Sequence, residues 1–220
     1  MTCVLVLAKA PVPGQAKTRL CPAATPHQAA DLAAAALLDT LDAVLATPAT
    51  IPVVALAGSL RDARRAWELA ELLRRCTVIP QRGADFPDRL AAAHADTAAR
   101  FPGRRVVQIG MDTPQITPKL LTEAATHLDN ADAAIGLADD GGWWALGLRD
   151  PAHAEILRLI PTSRPDTGAR TLRALRDNGL TVRDLPALSD VDTMADATRV
   201  AADIPGTRFA AALARVGAAV

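Results

Sequence analysis

Residues 3–22 read CVLVLAKAPVPGQAKTRLCP, and how this stretch is read decides the fold. Its first six residues form an unbroken apolar run, the pattern of a strand covered on both faces. Straight after it come two prolines, one glycine and three cations, Lys9, Lys17 and Arg19, within eleven positions. Gly14 lets the backbone turn sharply or approach a ligand closely. Lys17 and Arg19 can reach phosphate oxygens, arginine as a two-pronged donor and lysine as a point charge. The plain alternative is a solvated basic loop. Two phosphate-binding motifs fail here. A P-loop needs glycines where Pro11 and Ala16 stand, and a dinucleotide fingerprint needs three glycines where only Gly14 is present.

The rest of the chain repeats this rhythm. Strand-like runs fall at 51–58, 76–80, 104–112, 131–138, 143–148 and 180–186. Helical patterns cover 27–46, 60–75, 86–100, 117–128, 151–159, 167–178, 193–203 and 207–217. Alternating strands and helices imply a layered α/β fold with a mostly parallel sheet. The 220 residues suit one domain, 1–220, with no internal repeat and no linker.

Composition excludes several function classes. Lys+Arg and Asp+Glu balance at 24 each, so no overall charge favours nucleic acid or an anionic membrane surface. No apolar run approaches the ~20 residues of a membrane span. No signal peptide is visible. Cys3, Cys21 and Cys76 are odd in number and widely spaced, which reads as reduced thiols in a cytoplasmic protein. The four histidines lack ligand spacing and read as surface or helix residues.

Ligands of open parallel sheets sit beyond the carboxyl ends of the strands. The residues that follow each strand therefore carry the functional reading. VVQIGMDTPQIT (106–117) sets Asp112 at a strand end, where it can ligate Mg²⁺ or simply cap the Thr-Pro turn. Thr117 and Pro118 read as the start of a helix. LADDGGWWALGL (137–148) reads as a hairpin turn, since Asp-Gly is a strong hairpin signal. It also offers Asp140, Gly141, Gly142 and Trp143 to a sugar or acceptor, with one of the two tryptophans facing the core and its neighbour facing outward. LSDVDTMADA (188–197) sets Asp190 and Asp192 two apart on an extended stretch, both carboxylates on one side. A helix cap by Thr193 and Asp196 is compatible with that.

Four patterns occur in this order: K-x-P-x-x-G-x-x-K-T-R-L, I-G-x-D-x-P, D-G-G-W-W and D-V-D-T-x-x-D. Together they resemble the bacterial nucleotide-diphospho-sugar transferase-like family. That family is a branch of the GT-A nucleotidyltransferases and glycosyltransferases, with phospholactate and molybdenum cofactor guanylyltransferases among its relatives. The resemblance spans about residues 3–200. It implies a GT-A Rossmann-like three-layer α/β/α sandwich that binds a nucleotide at its carboxyl edge. By the same resemblance, Lys9, Gly14, Lys17, Arg19, Gln81 and Arg89 would hold the nucleotide. Asp112, Asp190 and Asp192 would hold Mg²⁺, with Mn²⁺ as the alternative. Asp140, Gly141, Gly142 and Trp143 would face the acceptor or sugar, and Lys17, Arg19 and Asp112 would be catalytic.

The cationic first loop then has a reason: a polyphosphate with its metal needs cations on its oxygens and carboxylates on the ion. The expected activity is nucleotidyl transfer from a nucleoside triphosphate to a small phosphorylated or hydroxylated acceptor, with pyrophosphate released. A glycosyltransferase using a nucleoside-diphosphate sugar is the alternative, and a non-catalytic nucleotide-binding protein a second one. The L-A-x-G-x-G-x-R start of typical nucleotidyltransferases is absent, which leaves the base and the donor open, as are acceptor and oligomeric state.

Overall fold

A computed structural model describes residues 1–217; the last three positions of the expected 1–220 domain lie outside the described residues. Seven strands form one sheet: β1 (Thr2–Lys9), β2 (Thr50–Ala57), β3 (Thr77–Pro80), β4 (Arg105–Gly110), β5 (Ala133–Ala138), β6 (Trp143–Leu148) and β7 (Val182–Leu188). Their spatial order is β3-β2-β1-β4-β6-β5-β7. Every neighbouring pair is parallel except those made by β6, which runs antiparallel to β4 and β5. The sheet is mostly parallel, as the strand–helix rhythm requires.

The helices are α1 (Pro26–Ala46), α2 (Ala66–Leu73), α3 (Phe86–Arg100), α4 (Pro118–His127), α5 (Thr167–Asp177), α6 (Met194–Asp203) and α7 (Arg208–Gly217). The 60–75 segment departs from expectation. It breaks into a 3₁₀ turn at Leu60–Asp62 and the short α2, because Arg65 adopts φ 51, which no continuous helix allows. The 151–159 segment is a 3₁₀ helix rather than an α-helix.

β1 lies inside the sheet, between β2 and β4, and explains its own sequence. Val4, Val6 and Ala8 face α1, α2 and α4, while Cys3, Leu5 and Leu7 face α3, α5 and the 151–159 turn. A strand buried on both faces needs apolar residues at every position. The Ala/Leu surface of α1 serves two contacts: Leu37, Leu38 and Leu41 pack on the sheet, and Ala29, Leu32 and Ala36 receive α6 and α7. Arg65 clamps Asp31 of α1 with two hydrogen bonds of 2.8 and 2.9 Å. Helix starts follow local rules. Thr25 with Gln28, and Thr193 with Asp196, form complete capping boxes, and Thr117 caps α4 with Pro118 in its first turn.

Connections from β1 turn to one side (β2, β3) and β4 lies on the other. The order reverses between β1 and β4, which opens a crevice at their carboxyl ends.

Candidate active site

A cleft of about 690 Å³ occupies that crevice. Its wall includes Lys9 and Arg19 from the first loop, Asp112 after β4, and Asp190 and Asp192 after β7.

One backbone contact assembles the acids. The N–H of Val191 donates to the carbonyl of Asp112 at 3.0 Å, tying the chain after β7 to the chain after β4. The Val191 side chain is buried among Leu20, Leu32 and Phe209. Asp190 and Asp192, on either side of it, are thereby turned the other way, towards Asp112. One carboxylate oxygen from each of the three lies within 4.8 Å of the others. The cluster is half-buried. Three carboxylates, all hard oxygen donors, suit a divalent cation such as Mg²⁺ or Mn²⁺.

The loop cations meet these acids directly. Lys17 Nζ donates to Asp112 Oδ2 at 2.9 Å and to Asp192 Oδ1 at 2.8 Å. Arg19 Nη1 donates to Asp192 Oδ2 at 2.9 Å. The Lys17 side chain is only 13% exposed, whereas that of Arg19 is 69% exposed. The loop reaches this position because the N–H of Ala10 bonds Ala57 and that of Arg64 bonds Pro11, while Ala16, Leu20 and Ala24 are buried. Lys17 itself has φ 48. Burial works against its charge, but Asp112 and Asp192 outweigh that and hold its pKa above the ordinary lysine value. Burial likewise opposes charge on Asp192, but Lys17 and Arg19 keep its pKa below the usual carboxylate range. Asp190 has no such cation. Burial, then the charges of Asp140, Asp112 and Asp192, push its pKa up to about 6.

The other expected site residues divide into three groups. Gln81, Arg89, Asp140, Gly142 and Trp143 line the same cleft. Gln81 also ties two strand ends together, donating to the carbonyls of Ala8 (2.7 Å) and Ala55 (2.9 Å). Lys9 lines the cleft, but its ammonium turns back to the carbonyl of Gln15 at 2.9 Å. Gly14 is exposed at φ +76 with nothing near it, and is not part of the cleft wall. Lys17 reaches the acids from the side of α1, beside Leu32, Met111 and Phe209, and not from the cleft.

The D-G-G-W-W segment is a hairpin turn, and it also borders the cleft. Asp140 Oδ1 accepts from the N–H of Gly142 at 2.7 Å. Gly141 has φ +90, and a Cβ there would stand 2.0 Å from the carbonyl oxygen of Pro165. The close backbone approach expected at Gly141 is thus made by the chain's own 163–168 segment, whose Gly168 N–H bonds the Gly141 carbonyl at 2.7 Å. The tryptophans divide as the strand pleat demands. Trp144 is buried and donates Nε1–H to the Pro186 carbonyl at 2.9 Å, while Trp143 faces the cleft.

Several cleft residues escape the sequence reading, Gln108, Ser163 and Arg164 among them. Gln108 is fully buried in mid-β4 with its Oε1 unpartnered. Its signal was visible as a single amide inside an apolar strand. Ser163 and Arg164 belong to a turn-rich run, PTSRPDTG, which follows no strand, and nothing local marks it as a cleft wall.

The layered α/β/α fold is shared with solved nucleotidyl- and nucleotide-sugar-transferase-like structures. A proposed nucleotide-diphospho-sugar transferase from Desulfovibrio desulfuricans G20 superposes with a TM-score of 0.85 at 29% identity, over 99% of this chain and 96% of that one. CMP:2-keto-3-deoxy-manno-octonic acid synthetase, solved with CTP, shares the fold with a TM-score of 0.54 at 13% identity, over 91% and 97% of the two chains. Rv0371c of Mycobacterium tuberculosis H37Rv, solved in complex with manganese, does so with a TM-score of 0.54 at 19% identity, over 91% and 98%. The chain belongs to the family described as "Uncharacterized protein conserved in bacteria (DUF2064)", whose model matches residues 40–164. None of the curated proteins matches it. No helix among the described residues is long and apolar enough to cross a membrane.

Proposed function

We propose that this chain is a divalent-metal-dependent nucleotidyltransferase that moves a nucleotidyl group from a nucleoside triphosphate to a small phosphorylated or hydroxylated acceptor, releasing pyrophosphate. One observation carries the reading: three carboxylates converge at the switch point of the sheet, on a cleft whose first loop supplies cations. Asp112, Asp190 and Asp192 would hold Mg²⁺ or Mn²⁺. When bound, the ion would neutralise phosphate charge and orient the oxygens at the reacting phosphorus.

The remaining work falls to this chain's own residues. The acceptor oxygen, a phosphate anion or a hydroxyl that gives its proton to solvent, attacks the α-phosphorus, the bond to the bridging oxygen breaks, and pyrophosphate leaves with the electron pair. Arg19, and Lys9 once released from Gln15, face the cleft and offset the charge that builds on the leaving group. Gln81 and Arg89 border the nucleotide side, and Gly14 gives the loop its turn. Asp140, Gly142 and Trp143 border the acceptor side, where Gly141 sets the turn that presents them. Rate enhancement would come from positioning and charge neutralisation.

The likeness to a proposed nucleotide-diphospho-sugar transferase favours a second reading, glycosyl transfer, in which attack falls on the sugar carbon and a nucleoside diphosphate departs. The products separate the two. Protein with Mg²⁺ is incubated with each of the common nucleoside triphosphates or nucleoside-diphosphate sugars and a mixture of small acceptors. Pyrophosphate supports the first reading and nucleoside diphosphate the second. Asp112→Ala abolishes either activity while the protein still melts cooperatively. An Asp112→Ala protein with full activity would refute the metal assignment.

A further inference from the structure

The ammonium of Lys17 sits between Asp112 and Asp192, two of the three carboxylates that would hold the ion. It contacts Asp112 Oδ2 at 2.9 Å and Asp192 Oδ1 at 2.8 Å, while Arg19 takes Asp192 Oδ2. Of the four carboxylate oxygens on Asp112 and Asp192, three are already bonded to a cation. A divalent ion that draws on both carboxylates therefore competes with Lys17 for them.

Displacement has a cost that depends on what else arrives. Lys17 is largely buried, beside Leu20, Leu32, Met111 and Phe209. An ammonium so placed cannot simply be left without a partner. If a metal ion arrives alone, the lysine loses both carboxylates and gains nothing. If the ion arrives with a polyphosphate, the phosphates bring new negative charge beside the lysine as the carboxylates pass to the metal. The charge balance agrees: three carboxylates against Lys17 and Arg19 leave the cluster one unit negative, a weak attraction for a free dication.

We infer that Lys17 is a tethered cation that keeps the acid cluster closed to free divalent ions and makes the protein take metal and polyphosphate together. This rests on the metal reading of Asp112, Asp190 and Asp192 given above. Lys17 then couples the two ligands, and the coupling is reciprocal: polyphosphate raises metal affinity by the same factor that metal raises polyphosphate affinity. The ligand that opens the site is a metal–polyphosphate complex.

The test uses the full chain and needs no turnover. Mn²⁺ alone is titrated into wild type, Lys17→Met and Lys17→Met/Asp112→Asn, with free Mn²⁺ followed by electron paramagnetic resonance. Lys17→Gln, which keeps a neutral donor at that place, substitutes if Lys17→Met fails to fold. Removing the internal cation should tighten Mn²⁺ binding about tenfold or more, given the Coulomb energy of a neighbouring unit charge in a half-buried site. Adding Asp112→Asn should reverse that gain. In a second arm, inorganic pyrophosphate should raise the Mn²⁺ affinity of wild type and have a clearly smaller effect on Lys17→Met. If Lys17 only braced the loop, its loss would leave Mn²⁺ affinity unchanged or weaken it, and either result overturns the inference while leaving the metal site standing. If no protein binds Mn²⁺, with or without pyrophosphate, the metal reading itself falls.

Discussion

Asp190 is placed at a cost to stability, and Asp190→Asn should recover it. Among the described residues no cation or donor bonds the carboxyl, and of the cations only Lys17 acts on it, from a distance, so an amide of the same shape loses little. Its pKa rises from 3.8 to about 6 on folding. At about 1.4 kcal/mol per unit, that is roughly 3 kcal/mol at neutral pH. Asp190 is half-buried, and solvent screening reduces this to about 1–2 kcal/mol. The sign follows from the direction of the shift. The folded protein holds the proton more tightly than the unfolded chain, so the contribution of Asp190 is most favourable below about pH 4. It is lost as pH rises through 6. Asn imitates the protonated form at every pH. Asp190→Asn should therefore be more stable than wild type by about 1–2 kcal/mol at pH 7.5, a rise of about 3–6 °C in melting temperature for a chain of this size. At pH 4.5 only about a third of the gain should remain. The measurement is thermal or urea unfolding of both proteins at the two pH values, with chelator present throughout. A variant that is no more stable at pH 7.5, or whose advantage is equal at both pH values, would refute the electrostatic account of the cluster.

Two predictions concern the frame around the site. Gly141→Ala combines a backbone at φ +90 with a methyl 2.0 Å from the Pro165 oxygen and 2.4 Å from its carbonyl carbon; it should cost about 3 kcal/mol or more in urea unfolding, and a neutral result would mean the 163–168 segment yields freely. His94 is fully buried in α3 with both ring nitrogens unpartnered, and burial pulls its pKa down to about 3. Wild type should thus lose stability as pH falls from about 6.5 towards 3, since the unfolded chain takes up the proton first. His94→Leu should flatten that part of the stability–pH curve and gain about 1 kcal/mol at pH 7; an unchanged slope would show that His94 is not the group responsible.

Much of the architecture could be read locally because the physical causes are local. β1 is apolar at each position from Cys3 to Ala8, and only a strand covered on both faces has use for that. Thr117-Pro118 and Thr193 with Asp196 announce their helices through hydrogen bonds that close within four residues. Arg65 is the counter-example: nothing in its neighbours announces the left-handed backbone that divides 60–75, because Asp31, which holds it, is 34 residues away.

The same division runs through the site. Asp112, Asp190 and Asp192 were legible as residues that end strands or follow them, since ligand crevices in parallel sheets form there. Lys17 and Arg19 were legible as cations in the first loop. That Lys17 approaches the acids from the α1 side, while Arg19 faces the cleft, was not. It depends on how Leu20 packs with α1, α6 and α7.

The sequence by itself therefore determined the layered fold, the edge of the sheet where the cleft opens, and the set of charges placed there. Periodicity, caps and strand-end positions are properties of a few adjacent residues. Tertiary structure alone decided which charges meet: the 3.0 Å bond from Val191 to Asp112 joins segments 79 residues apart (191 − 112), and the lysine that closes on them comes from a loop 95 residues before Asp112. Contacts at such separations are set by the packing of helices on the sheet, to which every core residue contributes, so no short stretch of sequence encodes them.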